Sequence, residues 1–256
     1  NDGVALRYVT AEGTMVMEDR TSYSVADGVN RWIANYDASN EQPFPLSTDG
    51  SVGTSKYGRA AQNSKWNYPA LVEPVSGVFA LISEADIRVG DSGSYLVNEE
   101  NKEVYKVTLE GPNAYNKGMS PWRCAIIGKL SDIAESTLIT DLASPSEIAD
   151  PSWIQPGVSS WIYWAYNHGS KDFELCKTFI DLAARMGWPY CLVDWEWPEM
   201  EGGHDLNDVM AYAREKGVKI NLWYNSGTSW IGPGAPQPQD RLNTPESRER
   251  EMQWLE

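Results

Sequence analysis

The pattern of the chain changes partway along its length, and that change limits the fold more than any single motif does. From residue 1 to about 130, apolar residues alternate in short runs such as Leu6-Arg7-Tyr8-Val9, Val78-Phe79-Ala80-Leu81-Ile82 and Val104-Tyr105-Lys106-Val107-Thr108-Leu109. Clusters of Gly, Asn, Asp and Ser part these runs. Period-two alternation between turn signals predicts antiparallel strands, and several strands at this spacing without a helical stretch predict a sandwich. The stretch from Glu41 to Gly58 is rich in Pro, Ser and Gly and predicts a long loop.

After about residue 150 strands and helices take turns. Ser159-Ser160-Trp161-Ile162-Tyr163-Trp164 reads as a strand. A helix follows from Asp172, with Phe173, Cys176, Phe179, Ile180 and Ala183 at helical spacing, and Gly187 stops it. Tyr190-Cys191-Leu192-Val193 is a short buried strand, and Leu206, Val209, Met210 and Ala213 mark a second helix closed by Gly217. Residues 218–224 predict a third strand, and residues 225 to about 240 a Gly/Pro/Ser loop. Thr244-Pro245-Glu246 opens a third helix, with an N-cap, a proline at the first helical position and an acid in the first turn. This order predicts a parallel sheet with helical crossovers. Three such units are too few to close an eight-stranded barrel, and a small open α/β domain is the alternative. The chain opens in a strand-like run and stops in a helical pattern, so it reads as an internal segment of a longer protein. The expected division is the C-terminal part of a β-sandwich over residues 1–130, a linker over 131–155, and the start of a barrel over 156–256. Within the linker, Ser144-Pro145-Ser146-Glu147 could open a short helix.

In such a barrel the C-terminal ends of the strands build the site. The second strand breaks abruptly into Asp194-Trp195-Glu196-Trp197. If the strand alternation continues, the two acids share one face and the two tryptophans the other. Acids make up 36 of 256 residues, so an Asp-x-Glu pair arises easily by chance, and its place after a buried strand is what singles it out. The first strand end offers Trp164, Tyr166, Asn167 and His168; the third offers Trp223, Tyr224, Asn225 and Ser226, with Trp230 beyond. On a regular strand Trp161 and Trp164 face opposite ways, so one of them packs against helices. Aromatic faces beside carboxylates and amides are what a sugar site needs, since the rings cover the pyranose and the polar groups take its hydroxyls. Asp194, Glu196, Trp223 and Asn225 are therefore the candidate substrate-binding residues.

Composition agrees with this choice and excludes others. The chain holds 12 Trp and 13 Tyr against 4 Phe, which suits surfaces both flat and wet, although most of these rings also suit a sandwich core. A net charge of −15 argues against nucleic acid and against an anionic membrane surface. No apolar run is long enough to span a membrane. Three cysteines without close spacing form neither a disulfide framework nor a zinc site, and two histidines argue against a His-based metal centre or a Ser-His-Asp triad.

Several blocks resemble glycoside hydrolase family 97. They are Ser120-Pro121-Trp122-Arg123-Cys124-Ala125-Ile126-Ile127-Gly128, Ser152-Trp153-Ile154-Gln155-Pro156-Gly157, Leu192-Val193-Asp194-Trp195-Glu196-Trp197 and the run from Tyr212-Ala213-Arg214 through Leu222-Trp223-Tyr224. Upstream, Asp2-Gly3-Val4-Ala5-Leu6-Arg7-Tyr8 and Leu81-Ile82-Ser83-Glu84-Ala85-Asp86 resemble the family's amino-terminal domain. The blocks fall in the family's order over nearly the whole chain.

The resemblance implies part of a β-super-sandwich followed by the first three βα units of a (β/α)8 TIM barrel. It implies an exo-acting glycosidase that cleaves a terminal α-linked hexose, either an α-glucosidase or an α-galactosidase, from an oligosaccharide or α-glycoside substrate. A calcium-dependent enzyme, periplasmic or secreted, is also implied. The nucleophile or base and the acid are expected beyond Glu256, so Asp194 and Glu196 are not given those roles. Glu41 is the candidate calcium ligand on this chain, because a hard cation takes carboxylate oxygen from a loop. The rival reading is a carbohydrate-binding protein that does not cleave its ligand.

Overall fold

The computed structural model describes residues 3–36, 46–50, 65–88, 90–166, 169–224, 241–242 and 244–255. The chain forms two compact units, Asn1–Glu147 and Ile148–Glu256. The first holds β1 (Gly3–Leu6), β2 (Met15–Val16), β3 (Ser22–Ser24), β4 (Asn30–Trp32), β5 (Leu46–Ser47), β6 (Lys65–Trp66), β7 (Ala70–Val75) and β8 (Val78–Ala85). It continues with β9 (Ser94–Val97), β10 (Val104–Leu109), β11 (Asn113–Ala114), β12 (Trp122–Gly128) and the short helices α1 (Leu130–Glu135) and α2 (Leu138–Asp141).

These strands pair antiparallel, as the alternation predicts. One sheet has the order β1-β12-β8-β7-β4-β5, a second the order β3-β10-β9-β6, and β11 pairs with β2. A single apolar core joins the two larger sheets. Ala70, Val72 and Ile82 come from the first, and Trp66, Leu96, Tyr105 and Val107 from the second. Alternation is what puts these residues on facing sides. A polar cluster around Arg123 interrupts the interior. The β12–β8 register sets Arg123 opposite Glu84. The buried guanidinium donates from Nε to Asp19 at 2.9 Å and from Nη1 to Glu84, whose carboxylate also receives the Ser94 hydroxyl at 2.6 Å.

The helix expected from Ser144 is not there. Residues 144–148 take no helical structure, and Ser144 donates its backbone N–H to Asp86 at 2.8 Å. The helical turns lie earlier. The Lys129 N–H donates to Asp132 at 2.9 Å, which satisfies an otherwise unpaired donor at the start of α1.

The second unit holds β13 (Ser159–Trp161), α3 (Phe173–Met186), β14 (Tyr190–Val193), α4 (Leu206–Lys216), β15 (Lys219–Leu222) and α5 (Pro245–Leu255). Its sheet is parallel, ordered β13-β14-β15, with Ser159 beside Tyr190 and Tyr190 beside Lys219. Helix ends fall where the sequence signals them. Asp172 accepts from the N–H groups of Glu174 and Leu175, Asp205 from those of Asn207 and Asp208, and Gly187 and Gly217 take left-handed backbone at the two C-termini. Thr244 Oγ1 accepts from the Ser247 N–H at 3.1 Å, so it caps α5. Ile162, Cys176, Ile180, Ala183, Cys191, Val193, Val209 and Ala213 form the core between the sheet and its helices. All three cysteines are buried and free, and burial pushes the Cys124 thiol up to about 11 and the Cys176 thiol up to about 12. They are packing residues, not nucleophiles. No helix among the described residues is long and apolar enough to cross a membrane.

Candidate functional site

Because the three strands run parallel, Trp161, Val193 and Leu222 end them on one edge of the sheet. The residues that follow determine what that edge offers. Two of the expected side-chain directions are corrected here. The second strand stops at Val193, and the Trp197 N–H donates to the Asp194 carbonyl at 3.2 Å, which makes a turn. Glu196 then starts a short 3-10 helix (Trp197–Glu199) with φ −87° and ψ 1°. Strand alternation therefore does not govern the pair, and the two acids are not on one strand face.

The first strand also stops early. The Ile162 carbonyl accepts from the N–H groups of Ala165 at 3.1 Å and Tyr166 at 2.9 Å, which bends the chain at residue 162. Trp161 and Trp164 therefore do not face opposite ways; their ring centroids lie 5.0 Å apart.

Asp194 is 5% exposed, and each of its carboxylate oxygens holds one N–H donor. Its Oδ2 accepts the Trp161 indole N–H at 2.6 Å, and its Oδ1 accepts the Trp195 backbone N–H at 2.7 Å. Its own N–H donates to Ser170 Oγ at 2.9 Å. From the Trp161 indole on this carboxylate the rings make a continuous arc. Trp161 packs against Trp164 and, at 6.3 Å, against Tyr163. Tyr163 meets Trp195 edge-on at 6.3 Å, and Trp195 meets Trp223 edge-on at 6.4 Å. Edge-to-face contact at this spacing suits the ring quadrupoles. Trp164, at 71% exposure, is the open end of the arc.

The other expected residues divide. Glu196 is buried at 6% exposure, and after the Glu201 carboxylate it helps hold the Lys171 ammonium above its ordinary value. Trp223 is half-buried and ties its backbone N–H to the Val193 carbonyl at 3.0 Å. Asn225 and Glu41 lie outside the described residues, as do Asn167, His168, Ser226 and Trp230. Trp197 turns away into the helix layer. Its indole N–H donates to the Trp223 carbonyl at 3.0 Å, and its ring stacks on Trp254 at 5.7 Å.

Sequence reasoning missed three elements. Trp161 carried a signal, a tryptophan at a strand end, but nothing in the sequence pairs it with a carboxylate 33 residues on. Ser170, in a short 3-10 turn, carried none. The third is Glu251, which accepts Tyr224 Oη at 2.6 Å and Arg241 Nη1 at 3.0 Å. Burial first, then the Glu251 hydrogen bond and charge, raise the Tyr224 phenol well above its ordinary value.

Among the described residues no three His, Cys, Asp or Glu side chains come together as a metal would require. A cavity of about 550 Å³ opens beside β3 and β10, lined by Glu18, Asp19, Arg20, Glu100 and Lys106 among others. It has no aromatic wall, so the parallel-strand edge is the better sugar-binding candidate.

Residues 1–145 match the glycosyl-hydrolase 97 N-terminal family model, and residues 159–244 match the glycoside hydrolase 97 model. The chain is 30% identical over 270 residues to a probable retaining alpha-galactosidase of Streptomyces bingchenggensis, covering 100% of this chain and 38% of that protein. It is 23% identical to a retaining alpha-galactosidase of Bacteroides thetaiotaomicron, covering 87% of this chain and 40% of the relative. The crystal structure of a beta-arabinopyranosidase superposes with a TM-score of 0.78 at 25% identity, covering 99% of this chain and 44% of that one. A family 97 enzyme from a Pseudoalteromonas species, in complex with acarbose, shares the fold with a TM-score of 0.67 at 20% identity, over 86% of this chain and 38% of that one. The chain thus spans well under half the length of these relatives. With the amino-terminal model matched over more than half the sequence and the catalytic model matched after it, this chain belongs to glycoside hydrolase family 97.

Proposed function

We propose that this chain is part of an exo-acting glycosidase that removes a terminal α-linked hexose, with α-galactosides as the first substrates to test. In this reading the antiparallel sheets belong to a β-super-sandwich, and β13, β14 and β15 are the first three strands of a (β/α)8 barrel. The nucleophile or base and the acid lie beyond Glu256, and the reaction passes through an oxocarbenium-like transition state between two carboxyl groups. The observation that carries the site is Asp194, a buried carboxylate at a parallel strand end, bonded to the indole of Trp161, from which a chain of ring contacts runs through Tyr163 and Trp195 to Trp223. The names of the two curated relatives favour galactose over glucose and retention over inversion.

This chain's own part is to bind and orient. Asp194 accepts hydrogen bonds from hydroxyls of the terminal sugar, the aromatic arc covers the ring face, and Trp223 and Asn225 line the same pocket, with Glu196 at its edge. Calcium belongs to the reading through family membership alone. The described residues do not assemble a site for it, and the candidate ligand Glu41 lies outside them. Export to the periplasm or medium is likewise part of the proposal.

The full-length protein should hydrolyse p-nitrophenyl α-galactoside. Asp194→Ala should lower kcat/KM by about 100-fold or more, since two charge-assisted hydrogen bonds to substrate are lost. Unchanged kinetics would remove Asp194 from the site. Retention on an immobilised glycan without turnover would support the carbohydrate-binding alternative instead.

A further inference from the structure

The edge of the parallel sheet holds more information than the position of one acid. Asp194 sits just past the end of β14, where the strand ladder no longer fixes its backbone. Four hydrogen bonds take over, one of them from the Trp197 N–H to the Asp194 carbonyl at 3.2 Å. Ser170 Oγ receives the Asp194 N–H at 2.9 Å, and Ser170 is fully buried. The Trp195 N–H reaches Oδ1 at 2.7 Å, and the Trp161 indole N–H reaches Oδ2 at 2.6 Å.

Of these, only the last comes from a different strand and acts on the carboxylate through a side chain. Trp161 ends β13, where it lies beside Leu192 in the parallel register, two residues before Asp194. Its indole packs against Tyr163 with the planes 21° apart and against Trp164 at 5.0 Å, so the direction of its N–H is set by ring packing. A rigid donor aimed at one oxygen fixes the rotation of the carboxylate about its last bond.

We propose that Trp161 is the positioning residue for Asp194, and that it holds the carboxylate so that one acceptor site on each oxygen faces the ligand. An ionised carboxylate only accepts, and here each oxygen already has one N–H donor. The groups it takes must therefore be donors, spaced to meet two oxygens at once. Adjacent hydroxyls of a pyranose have that chemistry, whereas carboxylates and phosphates do not. This inference rests on the reading of Asp194 as a substrate-binding residue.

A double-mutant cycle on the full-length protein tests it, with Trp161→Phe, Asp194→Ala and the pair, each assayed for kcat and KM on p-nitrophenyl α-galactoside. Phe keeps a ring at residue 161 and removes the N–H. Replacement of Trp161 by 3-benzothienylalanine, with sulfur in place of the N–H, removes the donor and keeps both rings, so it separates the hydrogen bond from the packing. Either single change at residue 161 should lower kcat/KM about 10-fold to 100-fold, the worth of one hydrogen bond to a charged group. In the Asp194→Ala background the same change should cost less than about 2-fold, because the group it positions is gone. A purely structural role would give the same loss in both backgrounds, and that result overturns the proposal. A silent 3-benzothienylalanine variant alongside an impaired Asp194→Ala variant overturns it too. If Asp194→Ala itself is silent, the reading of the site fails, and the inference goes with it.

Discussion

Replacing Arg123 by methionine should cost the first unit about 3–5 kcal/mol, because it strips the cation from two buried acids. The Arg123 side chain is 1% exposed, that of Asp19 0% and that of Glu84 12%. Methionine fills most of the space along the arginine stem, so the loss is electrostatic more than steric. The expected cost is a large share of the roughly 5–15 kcal/mol that holds a typical domain together. The effect should also depend on pH, with a definite sign. Burial holds the Glu84 carboxyl above its ordinary value of 4.5, against the opposing pull of Ser94 and then Arg123. An acid whose folded pKa is raised contributes stability at low pH that is lost as pH rises through the folded value. Without Arg123 the folded value rises further, so the variant loses most at neutral pH and the gap to the parent narrows as pH falls toward 4.5. Urea titration followed by hydrogen exchange on peptides from β8 and β12 reads this unit separately from the other. A loss below about 1 kcal/mol at neutral pH, or one that does not change with pH, would refute the reasoning.

Ile180→Ala, at a fully buried position of α3, should cost about 2–5 kcal/mol, seen as a lower urea midpoint with an unchanged slope. Asp172→Ala removes the cap that receives two N–H groups of α3 and should cost about 1 kcal/mol by the same measurement. Gly169→Ala would place a methyl group 2.7 Å from the Ile162 side chain, next to Ser170. It should cost about 1–3 kcal/mol and also lower kcat/KM, because Ser170 holds the Asp194 backbone; an active, fully stable variant would show that this turn gives way easily.

The helix boundaries of the second unit were legible because their causes are local. Asp172 and Asp205 cap through N–H groups two and three residues on, and Gly187 and Gly217 end helices by their own backbone freedom. Local cause also explains the strands of the first unit, whose alternation depends only on the two-residue repeat. The failures lie where a strand ends. Residues 162–164 and 194–197 keep an apolar, aromatic text, but the turns at Ile162 and Asp194 interrupt the repeat. No composition signal marks the turn at Ile162, and the turn at Asp194 opens on a lone aspartate followed by Trp-Glu-Trp, without the Gly, Pro or Asn that would set it apart from a strand-end acid. The helix expected at Ser144 is also absent, and there the Ser144 N–H meets Asp86, a partner 58 residues earlier in the chain that no local pattern announces.

By itself the sequence determined the succession of antiparallel strands and parallel βα units, the helix caps, the family, and Asp194 as the acid to examine. Each of these follows from residues within a few positions of one another, or from ordered blocks read along the chain. Only the tertiary structure decided what Asp194 touches. It set the Trp161 indole on one oxygen and Ser170 beneath the backbone, moved Glu196 out of the strand, and paired Arg123 with Asp19 and Glu84. Those contacts join residues 24 to 104 positions apart, and a hydrogen bond forms only where folding brings a donor within about 3 Å of its acceptor.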